Sequence, residues 1–273
     1  MSRITSAFKR LRRENNRGLL AYITAGDPSP GHTVKLILAL EQGGADFIEL
    51  GVPFSDPIAD GPVIQKAGER ALRAGTTFPK VLDILRNLRA RSEIPVIIFT
   101  YLNPIMRYGF ARFASDSAAA GADGALLTDL NIEEAGLYLA EMQKHGLDPV
   151  FLVSQTTPDD RLRVLSRSSA GFVYLVSRAG VTGERDRVSD QARRLIERTR
   201  RMTDLPLAVG FGLSKPEHMR ALAPYADAAV VGSAFMRIIE EHQDAPDLAA
   251  RMCGLAARLK DGLRIPAEAT AGR

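Results

Sequence analysis

Cysteine is nearly absent from this chain. Cys253 is the one cysteine among 273 residues, so no disulfide can form within the chain. Chains without disulfides are typical of a reducing compartment. The first residues also lack the basic and then apolar pattern of an export signal. The sequence therefore predicts a cytoplasmic protein.

Long apolar runs are also missing. The longest strongly apolar stretch is "IPVIIFTYL" at 94–102, which is shorter than the ~20 residues of a membrane-spanning helix. The basic stretch "FKRLRREN" at 8–15 contains Phe8 and Leu11, which with Ile4 follow helical spacing. This pattern favours an amphipathic surface helix over an arm for nucleic acid. We therefore expect neither a membrane nor a nucleic acid as partner.

Histidine and lysine are absent from the ends of the predicted strands. All four histidines fall in predicted helices or at helix ends: His32, His145, His218 and His242. None of the seven lysines ends a strand. These positions disfavour a histidine metal site, a Ser–His nucleophile and a Schiff-base lysine. We expect no metal and no cofactor in this chain.

Short apolar runs alternate with amphipathic segments along the sequence. The apolar runs predict eight strands at 19–24, 46–50, 95–100, 124–128, 149–154, 172–176, 206–210 and 227–231. Helical spacing fills the segments between them, such as 33–44, 78–91, 132–146 and 191–202. Alternation of this kind implies parallel strands buried on both faces. The predicted fold class is α/β, a single-domain (β/α)₈ TIM barrel over 1–273 with an extra N-terminal helix, a core at about 17–260 and a flexible tail at 265–273.

A carboxylate interrupts the second predicted strand. In "FIELG" (47–51), Ile48 and Leu50 are predicted to face the helices, so that Phe47 and Glu49 face the barrel interior. No predicted strand contains a lysine or arginine that could pair with Glu49 there. A carboxyl in an apolar setting has a raised pKa, here expected near ~6, and can both give and take a proton.

A proline-rich loop leads from Glu49 to a second carboxylate, Asp60. Asp-Gly is a common turn pair, so a loop-capping role for Asp60 is the alternative to a functional one. Its position favours function, because active sites of barrel enzymes lie in the loops after the strands.

The last two strands are followed by glycine-bearing turns, "GFGLSKPE" (210–217) and "VVGSAF" (230–235). Glycine lets backbone N–H groups approach an anion, and a helix N-terminus favours negative charge. We predict a phosphate site there, formed by Gly210, Gly212, Gly232 and Ser233, with Gly183 as a further contributor. Carboxylate acid–base chemistry on a phosphorylated substrate is the function that these residues indicate.

Five motifs in order along the chain resemble the alpha subunit of tryptophan synthase: "ELGVPFSDPIADGPVIQ", "TYLNPI", "YLVSRAGVTG", "GFGLSKPE" and "VVGSAF". The resemblance covers about residues 2–260. It implies retro-aldol cleavage of indole-3-glycerol phosphate to indole and glyceraldehyde 3-phosphate. In that family Glu49 would be the acid–base group, and Asp60 would stabilise positive charge at the indole N–H.

The resemblance also assigns the surrounding residues. Tyr22, Ile64 and Tyr174 would line the indole pocket, Thr182 would bond Asp60 when the loop after the sixth strand closes, and Phe211 would belong to the phosphate site. The family works as an αββα heterotetramer that passes indole to a β subunit carrying pyridoxal phosphate. Asp56, Pro57 and Asn103 match segments that face that β subunit.

Three segments depart from the family's usual pattern: "TDLNIEE" (128–134), "SQTT" (154–157) and the charged "ERDRVSDQ" (184–191). They bear on loop closure and on coupling to a β subunit, and not on the acid–base pair. Two alternatives remain open from the sequence. One is a stand-alone lyase that releases free indole, and the other is a catalytically silent phosphate-binding barrel that acts as an allosteric subunit.

Overall fold

The strands form one parallel sheet in a computed structural model that describes residues 2–176, 189–210 and 212–264. Nine strands lie in these ranges: β1 (Gly18–Thr24), β2 (Phe47–Gly51), β3 (Val96–Thr100), β4 (Gly124–Leu127), β5 (Asp148–Val150), β6 (Leu152–Ser154), β7 (Val173–Val176), β8 (Leu207–Gly210) and β9 (Ala228–Val231). Their order is β5-β4-β3-β2-β1-β9-β8-β7-β6. Because β5 and β6 are separated only by Phe151, the two edges of the sheet meet and the sheet curves into a barrel.

The fifth predicted strand is therefore split into two. Phe151 donates its backbone N–H to the Ser169 hydroxyl at 3.3 Å, while its carbonyl accepts from the Tyr174 amide at 3.1 Å. A side chain thus takes the amide that would otherwise continue the ladder to β4. The first half pairs with β4 and the second with β7.

Twelve α-helices and one 3₁₀ turn connect the strands in the described ranges. The helices are α1 (Arg3–Arg13), α2 (Pro30–Gln42), α3 (Pro62–Arg73), α4 (Phe78–Arg89), α5 (Leu102–Tyr108), α6 (Phe110–Ala120), α7 (Gly136–Lys144), α8 (Asp159–Ser168), α9 (Asp190–Arg200), α10 (Pro216–Leu222), α11 (Ser233–His242) and α12 (Leu248–Gly262). Proline occupies the first turn of α2, α3, α4 and α10, where its missing N–H costs nothing. None of the described helices is long and apolar enough to cross a membrane.

Alternation along each strand divides the apolar residues into two cores. Ile48 and Leu50 pack outward against the helices, whereas Phe47 joins the barrel interior. The predicted amphipathic helix α1 closes the N-terminal mouth of this interior. Its Phe8 ring stacks on Phe47 with 4.5 Å between the ring centroids.

Aspartates precede three of the strands at the same mouth. Asp46 accepts the Leu19 amide at 2.9 Å, Asp123 the Val96 amide at 2.8 Å, and Asp227 the Leu207 amide at 2.8 Å. Each also pairs with a cation carried by a helix, namely Lys260, Arg89 or Arg200. These carboxylates hold the starts of neighbouring strands together.

The barrel class predicted from the sequence is confirmed, and the strand bounds agree within one residue except at the split. The predicted helix over 132–146 begins as a 3₁₀ turn at Ile132–Glu134 before α7, a tightening that is common at helix starts. The predicted tail at 265–273 lies outside the described residues. That the whole chain forms one domain stays a prediction.

Candidate active site

Glu49 lies at the C-terminal end of the barrel, where the site was expected. Its neighbours across the sheet are Tyr22 on β1 and Ile97 on β3. A cavity of about 260 Å³ opens there. It is lined by residues of the strands, of the loops that follow them and of helices α3 and α11: Tyr22, Glu49, Asp60, Ile64, Phe99, Tyr174, Gly210, Gly212, Leu213, Ser214, Val230, Gly232, Ser233, Ala234 and Arg237.

The Glu49 carboxyl is isolated. Its side chain is buried, with the whole residue 1% exposed, and Oε1 has no hydrogen-bond partner among the described residues. Burial alone raises the pKa of Glu49 to about 8, because an apolar setting disfavours the charged form. The rise exceeds the value expected from the sequence, because the carboxyl is almost completely buried. Near neutral pH the carboxyl therefore holds a proton that it can give to a substrate.

Asp60 is held by a side chain that the sequence analysis did not single out. The Tyr101 hydroxyl donates to Asp60 Oδ2 at 2.9 Å and accepts the Ala59 amide at 3.1 Å. Gln65 Nε2 donates to the carbonyls of Asp60 and Pro57, at 3.0 and 3.3 Å. Burial raises the pKa of Asp60, whereas the bond from Tyr101 lowers it. The loop thus presents Asp60 in a fixed place.

Two tyrosines form the walls beside Glu49. Tyr22 and Tyr174 are 7% and 8% exposed, and burial raises the pKa of both hydroxyls. Tyr22 meets Phe99 edge to face at 5.3 Å between centroids. A Cβ added at Gly210 would lie 2.8 Å from the Tyr174 hydroxyl, and one at Gly51 would overlap that of Tyr22. Both glycines leave room for a tyrosine ring.

The glycine turns line the cavity where helix α11 begins. Gly212 has φ +66°, a conformation that favours glycine. Helix α11 begins at Ser233, directly after Gly232, and the amides of Phe235 and Met236 both donate to the Gly232 carbonyl. The Ser233 and Ala234 amides begin the helix, so they have no acceptor within it. This end of the cavity suits an anion.

The cavity brings together the predicted catalytic, substrate-binding and phosphate-binding residues that fall in the described ranges: Tyr22, Glu49, Asp60, Ile64, Tyr174, Gly210, Gly212, Gly232 and Ser233. Thr182, Gly183 and Phe211 lie outside the described residues. Asp56, Pro57 and Asn103 do not line the cavity. Asp56 and Asn103 are exposed, and Pro57 is partly exposed.

Several residues of the site were not predicted from the sequence: Phe99, Ala234 and Arg237 line the cavity, and Tyr101 binds Asp60. Phe99 follows Ile97 by two positions on β3, so strand alternation could have placed it inward. Tyr101 stands in the quoted motif "TYLNPI". Ala234 stands in the quoted motif "VVGSAF". Arg237 carried no such signal, because only the direction of α11 brings it to the cavity. Within the described ranges, no cluster of His, Cys, Asp or Glu could hold a metal ion.

Comparison with known proteins decides the family. A family model described as tryptophan synthase alpha chain matches residues 8–263. The chain belongs to this family. The resemblance read from the motifs is thereby confirmed.

Curated relatives agree over nearly their full length. The tryptophan synthase alpha chain of Solibacter usitatus is 56% identical over 96% of this chain and 98% of its own. The tryptophan synthase alpha chain of Geotalea uraniireducens is 47% identical over 97% of this chain and 98% of its own length. The range 8–263 matched by the family model includes every described residue that lines the cavity.

Solved structures carry the same fold. Tryptophan synthase subunit alpha from Legionella pneumophila is 38% identical with a TM-score of 0.89, covering 96% of this chain and 98% of that one. A chain of Mycobacterium tuberculosis tryptophan synthase is 36% identical with a TM-score of 0.89, covering 97% and 100%. The barrel of this chain is therefore that of the tryptophan synthase alpha chain family.

Proposed function

We propose that this chain cleaves indole-3-glycerol phosphate to indole and glyceraldehyde 3-phosphate, with Glu49 as the acid–base group. This cleavage is the lyase half-reaction of the tryptophan synthase alpha chain family. The observation that carries the proposal is the Glu49 carboxyl, buried with an unpartnered oxygen in a cavity that also contains Asp60 and a helix N-terminus.

Glu49 would act twice in one turnover. Its raised pKa, about 8, keeps it protonated at neutral pH, so it first gives its proton to C3 of the indole ring. The Glu49 carboxylate then takes the proton of the side-chain hydroxyl as the bond from C3 to the hydroxyl-bearing carbon breaks. That carbon becomes the aldehyde of glyceraldehyde 3-phosphate, indole leaves, and Glu49 is protonated again. A single group with a pKa near the working pH suits both steps.

Asp60 would stabilise the positive charge that protonation creates on the ring. As a carboxylate it accepts a hydrogen bond from the indole N–H, an interaction that strengthens as the charge develops. The bond from Tyr101 favours this charged form of Asp60. Tyr22, Ile64 and Tyr174 would hold the ring between them, and Thr182 would bond Asp60 when its loop closes.

The phosphate ester would occupy the glycine end of the cavity. Backbone amides at Gly212, Gly232 and Ser233 lie in turns suited to an anion, and Gly210 leaves space beside Tyr174. Gly183 and Phe211 would complete this site. The bound phosphate would then anchor the substrate while its ring lies at the carboxylates.

A β subunit is the proposed partner, in an αββα heterotetramer. The loop that carries Asp60 also presents Asp56, Pro57 and Ile58, and the Ile58 side chain is 84% exposed. Helix α5, which contains Asn103, presents Met106 at 61% exposure. Tyr101 joins this loop to the start of α5 through the Ala59 amide. Apolar side chains this exposed beside a catalytic loop suit a protein interface.

Pyridoxal phosphate would belong to the β subunit. This cofactor is held as a Schiff base on a lysine, and no lysine is among the described residues that line the cavity. The described residues of the cavity therefore do not fit the cofactor. We also propose that the protein works in the cytoplasm.

Cleavage of indole-3-glycerol phosphate by the purified chain, measured as glyceraldehyde 3-phosphate with and without a β subunit, tests the function. Slow cleavage that rises when β is added is the expected result. Fast cleavage whose rate does not change when a β subunit is added would make the chain a stand-alone lyase. No cleavage in either case would leave the catalytically silent barrel.

Substitution of Ile58 by Asp tests the docking surface. A charge at this exposed apolar position should reduce the stimulation of cleavage by β. Val164 on α8, which is 49% exposed, offers a matched control. Equal stimulation of Ile58→Asp and Val164→Asp would place the interface elsewhere.

A further inference from the structure

Arg237 introduces a positive charge into the cavity of Glu49 and Asp60. It lies on α11, four residues after Ser233, and lines the cavity. Among the described lining residues it is the only one with a cationic side chain. An anion that enters this cavity therefore meets a full positive charge at Arg237.

The direction of the helix brings this side chain toward the anion end. Side chains of an α-helix tilt toward its N-terminus, and residues four apart lie on one face. Arg237 therefore extends over the turn that begins at Ser233. Its guanidinium and the free amides of that first turn face the same space.

The guanidinium has no carboxylate partner within the described part of the chain. Glu240 lies three residues further along α11, yet it pairs with Lys66 at 3.2 Å and with Arg70 at 4.0 Å. Arg237 lines the cavity and is at the same time exposed to solvent. Its five N–H donors are therefore available to a ligand.

The charges of the cavity show what that ligand must carry. Asp60 contributes a carboxylate to this cavity, so a further anionic group beside it would be repelled. The amides at the start of α11 supply only partial positive charges. A phosphate monoester carries close to two negative charges, and a guanidinium fork matches its oxygens.

We propose that Arg237 binds the phosphate ester of the substrate and thereby determines specificity for a dianionic phosphate monoester. This inference rests on the proposed function. Arg237 takes no part in the proton transfers. It sets the affinity for the phosphate ester and the orientation of the bound substrate, and it leaves the chemistry at Glu49 unchanged.

Three variants test the role of Arg237. Arg237→Gln removes the charge, Arg237→Lys keeps it without the fork, and Arg258→Gln removes an exposed charge from α12 outside the cavity. Inorganic phosphate is titrated into each protein by calorimetry at low and high salt. KM and kcat for indole-3-glycerol phosphate are measured in parallel.

Arg237→Gln should weaken phosphate binding and raise KM about 10-fold, as expected for one charge-assisted contact, with kcat within about twofold. Arg237→Lys should recover part of the phosphate affinity that Arg237→Gln loses. Phosphate binding should depend less on salt in Arg237→Gln than in the wild type, because the charge is removed. The proposal is overturned if Arg237→Gln matches Arg258→Gln in both phosphate affinity and KM. Failure of every protein, wild type included, to cleave the substrate would contradict the proposed function, while the phosphate titration would still decide on Arg237.

Discussion

The Tyr101 hydroxyl lies 2.9 Å from Asp60 Oδ2 and donates a hydrogen bond to it. The Tyr101 hydroxyl oxygen also accepts a hydrogen bond from the Ala59 amide. One side chain therefore fixes both the Asp60 carboxylate and the backbone beside it. The bond also lowers the pKa of Asp60 against the rise caused by burial. Tyr101 is thus a positioning residue for Asp60.

Replacement of Tyr101 by Phe should therefore raise the pKa of Asp60 and loosen its loop. We expect kcat for indole-3-glycerol phosphate cleavage to fall about 10-fold, the cost of one hydrogen bond to a charged group. The acidic limb of the pH–rate profile should move to higher pH, since Asp60 then needs a higher pH to ionise. A lower rate with an unmoved acidic limb would show that Tyr101 acts on the fold alone.

Replacement of Glu49 by Gln should reduce cleavage by at least ~100-fold, because both proton transfers need an ionisable group. The variant keeps the size of the side chain, so inorganic phosphate should bind it as it binds the wild type. Rates and phosphate affinity are measured on the same preparations. A wild-type rate in this variant would remove Glu49 from the mechanism.

The same substitution should change how stability depends on pH. Folding raises the pKa of Glu49 from the ordinary value of 4.5 to about 8, so the folded state binds the proton more tightly. The stability linked to that proton is fully present below about pH 4.5 and is lost as pH rises through about 8. Relative to wild type, Glu49→Gln should gain roughly 2 kcal/mol or more in unfolding free energy between pH 5 and pH 9. Urea unfolding at both pH values measures this gain, and parallel curves for the two proteins would contradict the raised pKa.

Asp123 should be essential for the start of β3 and β4. It accepts the Val96 amide and pairs with Arg89 at 2.8 Å. Burial raises the pKa of Asp123 and lowers that of Arg89, so desolvation offsets much of their attraction. Loss of Asp123 is nevertheless costly, because it leaves the Val96 amide without this acceptor and the largely buried Arg89 without this carboxylate.

Asp123→Ala is expected to lower the free energy of unfolding by about 3 kcal/mol. Asp83 is a suitable control, because its side chain is 65% exposed in its pair with Arg86. Asp83→Ala should cost no more than about 0.5 kcal/mol. Similar urea midpoints for the two variants would mean that Asp123 does not hold the strands.

Gly210 should be required for the position of Tyr174. Its Cβ would lie 2.8 Å from the Tyr174 hydroxyl and 3.2 Å from the ring, so Gly210→Ala would push the ring into the cavity. We expect KM to rise about 10-fold, with partial recovery in the double variant with Tyr174→Phe, which removes the nearest atom. Gly136→Ala is the control, because no atom lies within 4 Å of its added Cβ. No difference between the two alanine variants would show that the ring adapts freely.

The sequence by itself determined the barrel and the inward, unpaired position of Glu49. Apolar runs locate the strands and helical spacing locates the helices, because strands buried on both faces are apolar throughout and the helices that cover them are amphipathic. A glutamate between Ile48 and Leu50 must then face inward, and the absence of lysine and arginine from the strands leaves it unpaired. These conclusions need only local pattern and composition.

Only the tertiary structure decided which distant residues share the site. The bond from Tyr101 to Asp60, the room that Gly210 leaves for Tyr174 and the entry of Arg237 into the cavity all join separate segments of the chain. Strand alternation could have turned Phe99 inward, but a local pattern gives no distance between segments. The split at Phe151 depends likewise on the Ser169 hydroxyl, 18 residues away. Contacts of this kind depend on the packing of side chains across the closed barrel, which no stretch of sequence encodes alone.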